Sequence, residues 1–326
     1  MNSCQQNHLP DSLPKYLTEG KQFRFDRLVL KDIDNAPVLK LNDPAMSGEE
    51  ICLFHRNFSI GDNYFAMLHD AIAWGLTEHR ELPIVRFADG EYAFYGGNLG
   101  CNGLYRQAES QTAITKAMSS HIAALKHLSA SGILAPLIFP GNTSPRKKRF
   151  LSMLPRHNRA PSAATFIEFL SENGILLTAR NYLPFYVVYA YLTSADFARI
   201  ADRRKVCILN SEYNAEGCHK WFERFSSHPE ILFTEIPGAY VATQWENIRE
   251  DILKRIPTDT HLCLVGAGVG ALTVCVDVAK RFSIPAIDAG HVLNMMNGRE
   301  DKSNGARLYT LRSQETECRS QNGKET

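Results

Sequence analysis

The sequence predicts an α/β fold: one domain on a mostly parallel sheet with helices on both faces. Two observations predict it. Between residues 51 and 310, short apolar runs alternate with segments of helical period, the pattern of parallel strands joined by crossover helices. The later runs are apolar throughout, as strands covered on both faces are. No Pro/Gly/Ser-rich linker interrupts this stretch, so a single domain is expected although the chain has 326 residues, more than the ~100–200 of an average domain.

Taken in order, residues 1–50 are polar and irregular apart from a short alternation around Phe23–Leu30, and are expected to form an N-terminal extension. Asp62 is placed to cap a helix carrying Phe65, Leu68, Ile72 and Leu76 on one face. A strand is expected at Leu82–Phe87, then a helix with Ile114, Met118, Ile122 and Leu125 on one stripe. Further strands are expected at Ile133–Phe139, Ile175–Ala179, Val206–Leu209, Ile231–Ile236, Leu262–Val265 and Ile284–Ile287. Helical patterns occupy Ala163–Leu170, Ala195–Ala201, Cys218–Phe225, Val241–Ile256 and Ala271–Arg281. The tyrosine-rich stretch Tyr182–Tyr191 reads as core and rim. Residues 311–326 are almost wholly polar and are expected to be disordered.

Composition narrows the function classes. Charged residues make up 22% and the net charge is +1, which provides no general attraction to nucleic acid. The eight cysteines form no C-x-x-C pair and several lie in apolar runs, so neither a zinc site nor a disulfide framework is expected, and a reducing compartment is. No apolar h-region opens the chain, and no run approaches the ~20 residues of a membrane span. The expectation is a soluble cytoplasmic protein, with contact at the inner face of the membrane left open.

Three loops follow strand candidates, and in open parallel sheets ligands sit beyond the carboxyl ends of strands. The first is Arg86-Phe87-Ala88-Asp89-Gly90-Glu91. Glycine between two carboxylates permits a sharp turn that brings both to one point, and paired oxygen ligands suit Mg²⁺ or Mn²⁺ with phosphate oxygens. Arg86 is placed to bind a phosphate bidentately. The same residues also fit a solvated D-G turn with Arg86 paired to Asp89. The second is Val265-Gly266-Ala267-Gly268-Val269-Gly270-Ala271, a G-x-G-x-x-(G/A) pattern with Asp288 after the next strand. It fits a nucleotide contact or a βα turn that needs small residues for packing. Dinucleotide and S-adenosylmethionine folds carry this pattern near their start; here it lies late and is expected to close the sheet. The third is Asp288-Ala289-Gly290-His291, where His291 is placed to bond a ligand or to cap a helix. Asn210-Ser211-Glu212 and Arg180 also follow strands, and Arg146-Lys147-Lys148-Arg149 fits a solvated face or an anionic contact.

RFADGE after an early strand, the late VGAGVGALTV segment and the IPAIDAGH ending together resemble the GT-D fold glycosyltransferases, a bacterial family with an R-[FY]-x-D-G-E motif. The similarity runs from about Asn57 to Asn297. It implies a Rossmann-like domain that transfers a sugar from a nucleotide-sugar donor, a UDP-sugar first among them, to a glycan, lipid-linked glycan or glycoprotein acceptor in bacterial surface polysaccharide assembly. It implies Asp89 and Glu91 as catalytic carboxylates holding a divalent metal, Mn²⁺ or Mg²⁺. It also implies Arg86, Gly266, Gly268, Asp288 and His291 as substrate-binding residues. Family members often carry acidic residues after the Gly-His; here Val292-Leu293-Asn294-Met295-Met296 holds no carboxylate, so the resemblance assigns no general base. The alternatives are an S-adenosylmethionine- or NAD-binding enzyme on the glycine turn, and a nucleotide-sugar binding protein without catalysis.

Overall fold

The computed structural model describes residues 63–103, 105–137, 161–175 and 181–298, together with the backbone of three strands between residues 28 and 52. Those three, β1 (Leu28–Ile33), β2 (Ala36–Leu41) and β3 (Glu50–Cys52), form an antiparallel sheet in the order β1-β2-β3. The alternation read at Phe23–Leu30 thus reaches into a sheet strand, within a segment expected to be irregular.

The main sheet has six strands, all parallel: β4 (Leu82–Phe87), β5 (Ile133–Pro136), β6 (Lys205–Asn210), β7 (Glu230–Glu235), β8 (Leu262–Val265) and β9 (Pro285–Asp288). Their order is β5-β4-β9-β8-β6-β7. One register line crosses the whole sheet through Ile133, Ile84, Ile287, Leu264, Ile208 and Phe233. All but the edge residue Phe233 are buried, as the continuous apolar runs require. The glycine turn after β8, though late in the chain, does not close the sheet: β8 and β9 insert between β4 and β6. Chain order and spatial order separate because each crossover helix lets its strand dock on any open edge.

Ten helices accompany the strands in the described residues: α1 (Asn63–Thr77), α2 (Asp89–Tyr95), α3 (Gln111–Ser131), α4 (Ala163–Glu172), α5 (Phe185–Leu192), α6 (Ala195–Ala201), α7 (Ala215–Glu223), α8 (Val241–Leu253), α9 (Ala271–Phe282) and α10 (His291–Met296). Local chemistry sets several starts: the side chains of Ser110, Ser162, Ser194 and Asn214 each accept a first-turn N–H of α3, α4, α6 and α7. The tyrosine-rich stretch leads into α5, with Tyr182 before the helix and Tyr189 and Tyr191 within it all buried. Helices α3, α8 and α9 pack together over β4, β8 and β9, while α1, α5 and α6 form a second layer. Cys101, Cys207, Cys218, Cys263 and Cys275 are buried free thiols, small hydrophobes as their apolar settings imply. No helix among the described residues is long and apolar enough to cross a membrane.

One buried polar chain ties three helices together. His121 of α3 donates Nε2–H to the Ala242 carbonyl of α8 at 2.7 Å, and its Nδ1 lies 3.1 Å from the Tyr95 hydroxyl of α2. Burial lowers the His121 pKa to about 4, against the pull of the Ala242 carbonyl, so the ring is neutral at physiological pH. Asp62, residues 138–160 with the basic run 146–149, residues 176–180 with Arg180, and residues 299–326 with the tail expected at 311–326 lie outside the described residues.

Gly132 joins α3 to β5, and a Cβ there would lie 2.2 Å from the Pro83 carbonyl oxygen. Gly132→Ala is expected to force the backbone of β4 and β5 apart and to destabilise the fold by about 2–3 kcal/mol, measured by urea unfolding.

Candidate functional site

The carboxyl ends of β4, β6, β8 and β9, with the loop after β7, surround one cleft of about 820 Å³. From β6 the chain runs outward to β7, and from β8 it runs the other way to β9, so the sheet reverses direction between these neighbours, where ligand crevices form in open α/β sheets.

Its floor is built on Arg86, the fifth residue of β4. Arg86 is 6% exposed, and its Nη2 lies 2.8 Å from Asp288 Oδ1. Its Nε donates to the Asp288 carbonyl at 3.0 Å and its backbone N–H to Asp288 Oδ2 at 3.3 Å. The guanidinium carbon lies 4.3 Å from the centre of the Tyr189 ring. Arg86 therefore pairs with Asp288, not with Asp89. Burial pushes the Asp288 carboxyl upward while Arg86 opposes that rise. Gly290 makes the close approach possible: it holds φ +42°, and a Cβ there would stand 2.1 Å from Arg86 Nη2.

The D-G-E segment is not a turn. Asp89, Gly90 and Glu91 are the first three residues of α2, and Gly90 has no positive φ. On a helix, side chains two positions apart do not face each other, so Asp89 and Glu91 diverge instead of meeting at one point. Glu91 Oε2 turns back to accept the Ala88 N–H at 2.8 Å, half of a capping box whose other half Ala88 has no oxygen to supply. Burial pushes the Glu91 carboxyl up to about 7; the Ala88 N–H opposes this and the charge of Asp288 adds to it. Asp89 is exposed on the cleft wall. Among the described residues no three His, Cys, Asp or Glu side chains cluster to hold a metal ion. These donors do not make an all-protein cage, but they do fit a cation shared between Asp89 and a ligand's phosphate oxygens, the usual arrangement for Mg²⁺.

The glycine turn lines the cleft, and the protein itself fills the space its glycines leave. A Cβ at Gly268 (φ +54°) would stand 2.5 Å from the Gln107 amide, and one at Gly266 would stand 2.7 Å from Asn210 Oδ1. Gln107 Oε1 accepts the Val269 N–H at 2.9 Å. In a dinucleotide site that N–H and that open face receive the pyrophosphate, and the acid after the next strand receives the ribose; here Gln107 occupies the first and Arg86 the second. This arrangement weighs against the NAD and S-adenosylmethionine alternatives.

Asp288 is buried behind Gly290, and His291 opens α10 at the rim, its ring 5.8 Å from that of Tyr105. Asn210, Ser211 and Glu212 border the cleft as their strand-end position implied. The structure thus gathers Arg86, Asp89, Glu91, Gly266, Gly268, Asp288 and His291 around one space. Tyr189, within the stretch read as core and rim, also lines it, and sequence reasoning missed Arg106, Gln107 and Tyr240. Of those three, Tyr240 had a signal, the Pro-Gly turn just before a long helical pattern.

No family model matches the chain, and no curated protein matches it. Among solved structures, one described as "The highly conserved domain of unknown function 1792 has a distinct glycosyltransferase fold" is similar at 16% identity and a TM-score of 0.42, over 70% of this chain and 78% of that one.

Asp288→Asn removes the charge that faces a buried guanidinium and is expected to cost about 3–5 kcal/mol, read from denaturant midpoints. The buried His121 and the partly buried Glu91 also predict opposing pH responses. Between about 4 and the ordinary 6.5 the unfolded chain protonates His121 and the folded chain does not, so this group makes stability rise with pH. Between the ordinary 4.5 and about 7 the folded chain keeps a proton on Glu91 that the unfolded chain has released, so this group makes stability fall with pH. Relative to the wild type, His121→Gln is expected to tilt the stability–pH curve downward across this interval and Glu91→Gln to tilt it upward. Each tilt amounts to as much as about 3 kcal/mol, measured by urea unfolding at stepped pH.

Proposed function

We propose that this protein is a glycosyltransferase that moves a sugar from a nucleotide-sugar donor, a UDP-sugar first among them, to a glycan, lipid-linked glycan or glycoprotein acceptor of bacterial surface polysaccharide assembly. One observation carries the proposal. The three segments that resemble the family's motifs, the first and last of them 202 residues apart, meet at a single cleft through the Arg86–Asp288 clasp.

Glycosyl transfer breaks the bond between the anomeric carbon and the donor diphosphate and leaves negative charge on that diphosphate. A divalent cation, Mn²⁺ or Mg²⁺, shared between Asp89 and the donor phosphates would stabilise this charge as a Lewis acid. Arg86 acts from below: clasped by Asp288 and stacked on Tyr189, it holds the ends of β4 and β9 at fixed separation and so positions Asp89 and His291 across the cleft. Glu91 is the group suited to exchange a proton with an acceptor hydroxyl, because its carboxyl, at about 7, changes state near neutral pH. Glu212 and Asn294, which also line the cleft, add polar groups suited to a hydroxylated acceptor.

The test is a thermal-shift screen of nucleotide-sugars with and without Mn²⁺, followed by hydrolysis and transfer assays. Ligand binding to the native state raises the melting temperature; a rise with one nucleotide-sugar, enlarged by Mn²⁺, is expected. Asp89→Ala should abolish the Mn²⁺ increment and lower turnover on the order of a hundredfold. Undiminished turnover in Asp89→Ala would overturn the cation site. Stabilisation by NAD or S-adenosylmethionine and by no nucleotide-sugar would overturn the proposal as a whole.

A further inference from the structure

Five non-glycine residues among those described hold a positive φ: His79, Arg203, Ser226, Tyr240 and Ser283. Four of them are exposed and stand in the turns that lead from a helix into β4, β6, β7 and β9. There, a left-handed residue past a helix end is an ordinary way to stop the helix. Tyr240 stands at the opposite end of the sheet, in the wall of the cleft, at φ +65° and ψ +14°. It also occupies the wrong end of a helix for this conformation, because it is the N-cap of α8, where a small polar residue in extended backbone is usual. A bulky residue held left-handed is strained, and such strain persists only where its surroundings enforce it.

The surroundings here are specific. The Tyr240 N–H donates to the Arg106 carbonyl at 2.7 Å, and its own carbonyl accepts the N–H groups of Thr243 at 3.0 Å and Gln244 at 2.9 Å. Glu109 accepts from the side chains of Thr243 and Gln244, which fastens the same loop to the head of α8. Arg106 itself is exposed in the cleft and makes no ion pair among the described residues. Its backbone is braced: the next two N–H groups, of Gln107 and Ala108, donate to Asn102 Oδ1 at 2.8 and 3.0 Å, and the Gln107 side chain is bonded to Val269. Arg106, a cation on braced backbone, and Tyr240, a partly buried aromatic on strained backbone, thus line one cleft, and one backbone hydrogen bond joins the two residues.

From this juxtaposition we infer that Tyr240 and Arg106 form the nucleoside-diphosphate subsite of the cleft, with the Tyr240 ring as the stacking platform for the base and the Arg106 guanidinium on the diphosphate oxygens. The inference rests on the nucleotide-sugar function proposed above. A ring face suits any base, and a planar guanidinium suits phosphate oxygens bidentately. The left-handed backbone stands at the cleft, at the residue where α8 begins.

Calorimetric titrations test this with UDP, GDP, ADP and inorganic pyrophosphate as probes, on the wild type, Tyr240→Gly, Tyr240→Phe and Arg106→Gln, with a melting temperature for each. The wild type should bind one diphosphate nucleotide. Tyr240→Gly should weaken that nucleotide about tenfold or more, leave pyrophosphate unchanged and not lower the melting temperature, since glycine relaxes the backbone. Tyr240→Phe should bind as the wild type does. Arg106→Gln should weaken the nucleotide and pyrophosphate together. Unaltered nucleotide affinity in Tyr240→Gly, with a lowered melting temperature or without, would overturn the subsite while leaving the glycosyltransferase proposal standing. A wild type that binds none of the three nucleotides would overturn both.

Discussion

Burying a guanidinium and a carboxylate is tolerable only where each finds partners for its donors and acceptors and stays close to the other. Arg86 and Asp288 satisfy that condition at the centre of the fold. Two side-chain donors and one backbone donor of Arg86 go to Asp288, and the ring of Tyr189 covers the guanidinium face. The pair joins β4 to β9 at the carboxyl edge and explains the glycine that follows, since any side chain at Gly290 would displace the guanidinium. With β4 and β9 held in this way, the starts of α2 and α10, and hence Asp89, Glu91 and His291, have fixed places around the cleft.

A second constraint comes from the loop between residues 102 and 109. Asn102 folds it, Gln107 plugs the glycine turn after β8, Arg106 bonds Tyr240, and Glu109 anchors the head of α8. A short polar segment thereby couples β8 to α8 through hydrogen bonds that include the backbone N–H groups of Val269 and Tyr240, which need partners when buried. The glycines after β8 serve this packing: they admit Gln107, Asn210 and, at Gly270, Val241. A motif that in other folds brings backbone close to phosphate here brings backbone close to side chains of its own chain.

Charge inside the protein is arranged in counterpoise. His121 is buried neutral beneath α2 and α8, while Glu91, on the same short helix as Tyr95, is held with a raised pKa at the cleft. One group resists gaining a proton and the other resists losing one. The structural histidine is thus neutral within the helix layer, and the carboxyl at the cleft has a pKa raised to about 7.

Local pattern alone determined the fold class and the approximate places of the described strands of the main sheet and of seven of the ten described helices, because period and capping are properties of neighbouring residues. β8 falls on Leu262–Val265 and α6 on Ala195–Ala201, the ranges the pattern indicated. The strand-end rule likewise led to the loops that line the cleft. Tertiary structure alone decided the strand order, the partner of Arg86, the helical state of D-G-E and the filling of the glycine turn. Each of these is a contest between competing partners. Asp89 lay three residues from Arg86, but Asp288, brought alongside by pairing of β4 with β9, offers a buried carboxylate and a carbonyl together, and an exposed Asp89 offers neither. Gly90 permitted a turn, yet the N–H of Ala88 found its acceptor in Glu91 when the segment coiled. Contacts between residues 162 or 202 positions apart leave no trace in local periodicity, because the energy that selects them exists only once the sheet has brought them together.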